Sequence, residues 1–389
     1  MLSYFPAVLS ILLNLLSVYF LAVALFAWKK PAPYPKAAPA CRFAVVIPAR
    51  NEEAVIGALV SSLNHQDYPN SLYDVFVVPN NCTDNTAGEA RRCGANVISC
   101  RYPVRCKGDV LRQVFPMLLA RDYHVFCVFD ADNVADRSFL REMNNAFCAG
   151  ALVAKGRIVA KNPYDSWVSA CYDIYFGFFD LFFNQPRASC GLSAKLVGTG
   201  FAVHRSVLEE LGGWNTRTVA EDAEFSAQCA AAGYRIAWVP NAVAYDEEPV
   251  SFLLSLTQRR RWCSGVMQTA RKALPALRKA LLNGRGLLAL DFMLFLLMPF
   301  TRAFSLLPFA LSVLFAALTG MAALFRLLGF LLAVTSLSYL ATALLAACIV
   351  SVTRPGDLRM WRGILGFPLF MASWVPLQVV SLFCKTTVW

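Results

Sequence analysis

Hydrophobic and polar positions divide the 389-residue chain into three regimes. Residues Phe5 to Ala27 carry no charge, a longer run than the ~20 helical residues that cross a bilayer core. From Leu287 onward the chain is again almost wholly apolar, interrupted by Arg302, Arg326 and a polar basic turn from Arg354 to Arg362. That pattern predicts three further spans at about 288–317, 324–352 and 363–384, with Gly320 near the first turn. The middle of the chain behaves differently. Short β-branched runs at Phe43–Ile47, Tyr73–Val78 and Val125–Phe129 read as buried strands. They alternate with helical stretches, the first predicted over Ala54–Leu63 with Glu52 and Glu53 in its opening turn. Such alternation predicts an α/β domain with a mostly parallel sheet.

The expected organisation is an N-terminal transmembrane helix (1–30), a Pro-rich linker (31–40), an α/β domain (41–248), amphipathic interfacial helices (249–286) and a C-terminal membrane region (287–389). No basic stretch precedes the first apolar run, which argues against a cleaved signal peptide. Lys29 and Lys30 follow it, so the positive-inside rule places the α/β domain in the cytosol.

Composition agrees. The chain is 57% hydrophobic and only 16% charged, which excludes an ordinary soluble enzyme. The formal charge is +11, and eight of the basic residues fall between Ser251 and Arg285, a segment without an acid. Beside apolar spans this excess suits anionic lipid headgroups rather than nucleic acid. The 13 cysteines are scattered without CxxC spacing, so they read as reduced, packed side chains.

Polar clusters follow all three strand runs, where ligands bind in such sheets. Asp130-Ala131-Asp132 offers two carboxylates to a hard divalent cation, though an isolated pair of this kind is more often a solvated turn. Ala220-Glu221-Asp222-Ala223-Glu224 is either an acidic helix start or the source of a general base. Val197-Gly198-Thr199-Gly200 permits close backbone approach to a ligand. In Gln258-Arg259-Arg260-Arg261-Trp262, Gln258, Arg261 and Trp262 share a helical face that offers an amide, a guanidinium for a diphosphate and a ring for a sugar. Arg259 and Arg260 fall on other faces and read as lipid-facing charge.

Together with IPARNEE (47–53), NNCTDNT (80–86) and Lys107-Gly108, these motifs resemble the membrane-embedded family 2 glycosyltransferases, the group containing cellulose, chitin and hyaluronan synthases. Nodulation chitooligosaccharide synthases resemble this arrangement of spans most. The resemblance covers about 215 residues, 47 to 262. It implies a GT-A fold in a bacterial cell membrane, a UDP-sugar donor and Mg²⁺ or Mn²⁺. Pro48, Arg50, Glu52, Asp84, Lys107 and Asp130 would surround the nucleotide sugar, with Asp132 and Asp130 at the metal. Asp222, beside Glu221, would be the general base of an inverting displacement. Gly198, Thr199, Gln258 and Arg261 would steady the diphosphate, and Trp262 would bound the acceptor site. Where the family has Thr-Glu-Asp, this chain has Ala220-Glu221-Asp222.

Three readings follow. The first is a processive synthase that elongates a β-linked polysaccharide and exports it, with possible export or polymer-modifying partners. The second is a transferase that adds one sugar to a lipid acceptor, which requires a lateral opening toward the membrane. The third, a non-enzymatic scaffold, predicts loss of a metal or base carboxylate, yet Asp132 and Asp222 are both present. Arg302 lies within an apolar stretch, where it either lines a polar path or snorkels.

Overall fold

The computed structural model describes residues 5–284 and 286–386; Arg285, the last cation of the basic segment, lies outside them. The first apolar run forms α1 (Phe5–Ala24), which tightens into a 3₁₀ turn at Leu25–Trp28. After the linker come β1 (Phe43–Ala49), α2 (Ile56–Asn64), β2 (Tyr73–Pro79), α3 (Thr86–Arg92) and β3 (Asn96–Val97). Then follow α4 (Lys107–Leu119), β4 (Val125–Val128), β5 (Val134–Ala135), α5 (Phe139–Cys148) and β6 (Val153–Ala160). The chain continues through α6 (Trp167–Phe179), a π-helical turn at Asp180–Asn184 and α7 (Gln185–Ser189). The domain closes with β7 (Phe201–His204), α8 (Arg205–Glu210), α9 (Glu221–Ala232) and β8 (Ile236–Asp246).

The sheet order is β3-β2-β1-β4-β7-β6-β8-β5. It is mixed: β1 pairs in parallel with β2 and β4, whereas β7 runs antiparallel to both β4 and β6. All seven residues of β1 are buried, as a central strand covered on both faces must be. Phe43, Val45 and Ile47 pack with α2 and α5, while Ala44 and Val46 face α4, α9 and Trp214. The helix expected from Ala54 begins at Ile56, leaving Glu52 and Glu53 in the turn before it. Their backbone is held by the next loop: Glu52 N donates to Thr86 Oγ1 at 2.9 Å and Glu53 N to Asp84 Oδ2 at 3.1 Å.

The basic segment also departs from expectation. It is one 31-residue helix, α10 (Phe252–Leu282), rather than a pair. Pro275 removes a single backbone donor, and the helix ends only at Asn283-Gly284, where Gly284 takes φ 83°. The C-terminal region comprises α11 (Gly286–Phe304), α12 (Leu306–Thr319), α13 (Met321–Thr353), α14 (Trp361–Ala372) and α15 (Trp374–Phe383). Four segments are long and apolar enough to cross a membrane: Phe5–Trp28, Gly286–Thr319, Met321–Thr353 and Leu358–Phe383. Two of them break, at Ser305 and Ser373. Pro308 and Pro376 follow each break three residues on and cannot donate to the preceding turn.

Three arginines, two buried and one partly buried, bind the C-terminal helices to the rest of the chain. Arg187 on α7 makes a two-pronged pair with Asp291 on α11, at 3.0 and 2.9 Å, and Tyr19 of α1 donates to the same carboxylate at 2.8 Å. Arg354 pairs with Asp173 of α6 at 2.6 and 2.9 Å. Arg259, expected to face lipid, is fully buried instead. It donates to the Phe370 carbonyl and Ser373 Oγ, both at 2.8 Å, and lies 3.9 Å above the Phe370 ring. The break at Ser373 supplies that acceptor, so the arginine belongs to the α14–α15 joint. Arg260 is exposed.

Removing one member of the Arg187–Asp291 pair leaves the other charge buried alone. Arg187→Ala is expected to lower stability by about 3–5 kcal/mol, read as a loss of thermal stability in detergent. Arg187→Met with Asp291→Leu recovers most of that loss; a double variant no better than the single one would show that the pair is not what is missed.

Candidate active site

The polar loops at the carboxyl ends of β1, β2 and β4 converge as the sheet requires. Asn51 and Asn81 both take the left-handed conformation, at φ 58° and 50°, which asparagine tolerates better than most residues. Asn51 Oδ1 accepts from Thr83 N at 2.8 Å and Glu53 Oε2 from Asn85 N at 2.9 Å, so the first two motifs are laced together. Pro48 is buried in β1 opposite Val78, and Arg50 is half-buried in the turn beyond it. Asp84 uses its carboxylate inside the loop, accepting from Thr86 Oγ1, Thr86 N and Glu53 N. These bonds hold its carboxyl below the usual range. Glu52 faces the opposite environment. Burial, then repulsion from Asp132, Asp130 and Asp84, pushes it up to about 7.

Asp130 follows β4, and the Lys107 side chain reaches it from the first turn of α4. The ammonium donates to Asp130 Oδ1 at 2.5 Å and to the Gly198 carbonyl at 2.6 Å, with Glu221 Oε1 at 3.9 Å. Burial opposes the charged lysine, yet Asp130 and Glu221 outweigh it and raise its pKa. Lys107 therefore sits beneath the site as a brace. Asp132 is partly buried and pushed up to about 6, first by burial and then by Asp130. Asp246, at the end of β8, is shifted up by burial, Asp132 and Asp130; it accepts from Asn133 Nδ2 at 2.6 Å.

Residues 197–200 close the third side. Thr199 Oγ1 accepts from Asp130 N at 3.0 Å and donates to Asn133 Oδ1. Gly198 has φ 36°, and a Cβ there would stand 3.2 Å from Asp130 Oδ2, so the absent side chain is what lets loop and carboxylate approach. Its N–H donates to Asp222 Oδ2 at 2.7 Å. Glu221 and Asp222 open α9 as the acidic cluster predicts. Glu221 is buried against Lys107 and pushed up to about 8, chiefly by burial.

On α10, Arg261 and Trp262 face Asp222 across a shared chamber. Gln258 does not join them. Its amide oxygen accepts from the Tyr172 hydroxyl at 2.6 Å, which ties α10 to α6. Trp262 lies among rings, 6.0 Å from Tyr172 and 6.3 Å from Trp374. Gly265, three residues along α10, is packed so closely on α9 that a Cβ would meet that of Ala220 at 2.6 Å. The missing hydroxyl at position 220 is thus matched by a missing side chain opposite.

The chamber has a volume of about 460 Å³. Gly198, Thr199, Glu221, Asp222 and Asp246 line one end. From there it passes Trp262 to Phe178, Phe179, Phe182 and Phe295, and to Phe20, Leu21 and Ala24 of α1. The α6 aromatics were absent from the sequence reading. Their signal was present in the run Tyr175-Phe176-Gly177-Phe178-Phe179-Asp180-Leu181-Phe182-Phe183, too apolar for a soluble helix surface and too short for a span.

The family profile described as glycosyl transferase family group 2 matches residues 125–353. The chain is 28% identical over 235 residues to the probable glycosyltransferase YdaM of Bacillus subtilis, covering 58% of this chain and 55% of that protein. It is 27% identical over 242 residues to the beta-monoglucosyldiacylglycerol synthase of a Synechocystis species, covering 61% and 49%. The chain thus spans about half the length of these curated relatives. Among solved structures, the mannosyltransferase PcManGT from Pyrobaculum calidifontis, in complex with GDP-Man and Mn²⁺, superposes over 99% of this chain and 100% of its own. Its TM-score is 0.68 at 19% identity, which makes the fold a shared one, GT-A with attached membrane helices.

Lys107→Gln removes the buried cation on which Asp130 and the Gly198 carbonyl rest. We expect about 3 kcal/mol of lost stability, measured by thermal unfolding with and without a nucleoside diphosphate. An unchanged melting temperature would show that Lys107 reaches outward to ligand rather than bracing the site.

Proposed function

The chain belongs to glycosyl transferase family group 2, and we propose that it moves one sugar from a nucleotide-diphosphate donor, such as a UDP-sugar, onto the head of a membrane lipid. The observation that carries this reading is the chamber. Its far walls are the aromatic face of α6, the α11 residues Phe295 and Met298, and the inner face of α1. A growing glycan threaded along such walls would leave hydroxyls unpaired. An acyl or prenyl chain would leave nothing unpaired, and α1 is itself apolar, long enough to cross a bilayer and almost wholly unburied. The name of the cyanobacterial relative, which specifies a diacylglycerol, lends support. The order of the two enzyme readings drawn from sequence is therefore reversed: lipid first, processive polymer second.

In the proposed reaction, Asp222 accepts the proton of the lipid hydroxyl as its oxygen attacks the anomeric carbon. The bond from that carbon to the diphosphate breaks, and the nucleoside diphosphate leaves with the electron pair. Gly198 N–H holds Asp222 Oδ2, which fixes the direction from which the proton is taken. Arg261 stands where it can meet the departing phosphates, and Trp262 confines the acceptor.

The carboxylates suit a hard divalent cation. Glu52, Asp132 and Asp246 are all shifted upward by burial first, and Asp130 raises all three, which marks more buried negative charge than the nearby cations offset. Among the described residues no three potential ligands are grouped closely enough to cage a metal alone. Asp130 and Asp132 would therefore hold Mg²⁺ or Mn²⁺ with help from donor phosphate and water, as such ions prefer. When bound, the cation would neutralise the leaving diphosphate.

Proteoliposomes supplied with radiolabelled UDP-sugars and Mn²⁺ test the reading. Label is expected in the organic phase as a single glycolipid, and Asp222→Asn should reduce it by about 10²–10⁴-fold; label in a lengthening polymer would restore the processive alternative. A second variant probes the chamber itself. Ala24→Trp fills it from the α1 side and should raise the KM for lipid while leaving the donor KM unchanged. Equal acceptor KM values would place the lipid elsewhere.

A further inference from the structure

Three cations line the chamber: Lys195, Arg261 and Arg302. Arg261 stands in the basic motif beside the donor end. The other two have no part in the reaction as described, and their settings differ from those of the other membrane-proximal arginines. Arg187, Arg259 and Arg354 each have protein acceptors at 2.6–3.0 Å. Among the described residues, neither Lys195 nor Arg302 forms a salt bridge or donates a side-chain hydrogen bond. The Lys195 ammonium lies over the rings of Phe295 at 4.5 Å and Phe179 at 5.4 Å. Burial depresses its pKa, with Asp222 acting in the opposite sense.

The two cations share a wall. Phe295, Met298, Pro299 and Arg302 follow at i, i+3, i+4 and i+7 on α11, and all four line the chamber, as one helical face should. Lys195 stacks on the first of these residues and Arg302 is the last. Two positive charges therefore stand in an otherwise largely aromatic wall of the chamber that also holds Asp222. A cation facing a largely apolar cavity without a partner is costly, and an anion brought in with the ligand removes that cost.

We propose that Lys195 and Arg302 form a subsite for an anionic phosphate in the headgroup of the lipid acceptor, and that this subsite selects phosphate-bearing over neutral lipids. The proposal rests on the lipid-acceptor reading. The shared chemistry is a lipid phosphate, from one of two sources. In a glycerophospholipid with a free headgroup hydroxyl, the phosphodiester is held by the cations, the hydroxyl oxygen forms the bond to the anomeric carbon and its proton passes to Asp222. In a prenyl phosphomonoester, a phosphate oxygen is itself the nucleophile. It is already deprotonated, so no proton needs to be removed. In both cases the bond to the diphosphate breaks and the nucleoside diphosphate carries off the electron pair.

The test uses the full chain in neutral detergent micelles, with whichever UDP-sugar it turns over. Three acceptors are compared: dioleoylglycerol, dioleoylphosphatidylglycerol and a polyprenyl phosphate. One of the two phosphate lipids is expected to exceed dioleoylglycerol in kcat/KM by about tenfold or more. Lys195→Gln and Arg302→Gln should each cost that lipid about 10–100-fold, the worth of one or two charge-assisted hydrogen bonds. The loss should appear in the lipid KM with the donor KM unchanged, and Lys195→Arg and Arg302→Lys should restore most of it. Asp222→Asn then separates the sources: it abolishes transfer to the phosphatidylglycerol hydroxyl and spares transfer to the phosphomonoester. Dioleoylglycerol used equally well or better, or neutral variants with unaltered lipid KM, would overturn the phosphate subsite and leave the lipid reading standing. Absence of glycolipid from every acceptor, with label in polymer, would overturn both.

Discussion

Arg187 and Asp291 hold the two halves of the molecule in register. The arginine belongs to α7, the short helix between α6 and β7, the aspartate to α11, and Tyr19 adds α1 to the same carboxylate. The helices that bear Tyr19 and Asp291 both line the chamber. Neither ion is exposed to water, so separating the elements strands a charge, and the association is close to all-or-none. Apolar packing alone would let α1 and α11 slide, since lipid tails match their surfaces about as well as protein does. One oriented ion pair removes that freedom.

Within the site the electrostatic arrangement is lopsided. Lys107 is committed to Asp130 and the Gly198 carbonyl, and Asp84 to its own loop. Glu52, Asp132 and Asp246 remain as carboxylates raised by burial and by repulsion from Asp130. The fold thus keeps some carboxylates for architecture and leaves others short of positive charge, and a nucleotide donor arriving with a divalent cation would complete the set.

Three of the eight strands (β1, β2 and β4), the α9 start and the four long apolar segments were legible because each depends on local pattern: β-branched runs, an acidic first turn, and apolar lengths of about 20 residues or more. Strands β6, β7 and β8 were not read. The site motifs were legible because the sheet places its strand ends side by side. What escaped notice depended on partners distant in sequence. Arg259 looked like surface charge because nothing local announces the Phe370 carbonyl, freed by a helix break more than a hundred residues later. Gln258 shares a heptad face with Trp262, but Tyr172 claims it. The α6 aromatics sat inside a segment of mixed polarity and were averaged into it. Periodicity reports which face a residue occupies, and tertiary structure decides what that face meets.

The contact between Gly265 and Ala220 carries a mechanical consequence. With only the Ala220 methyl between the two backbones, α10 and the start of α9 form one closely packed jaw, bearing Asp222 on one side and Trp262 on the other. The spacing between Asp222 and Trp262 is therefore set by that packing. Room for a bulkier ligand must come from the opposite wall, where α1 contributes Phe20, Leu21 and Ala24. Acceptor range in this enzyme should drift with the sequence of its N-terminal helix while the jaw stays the same.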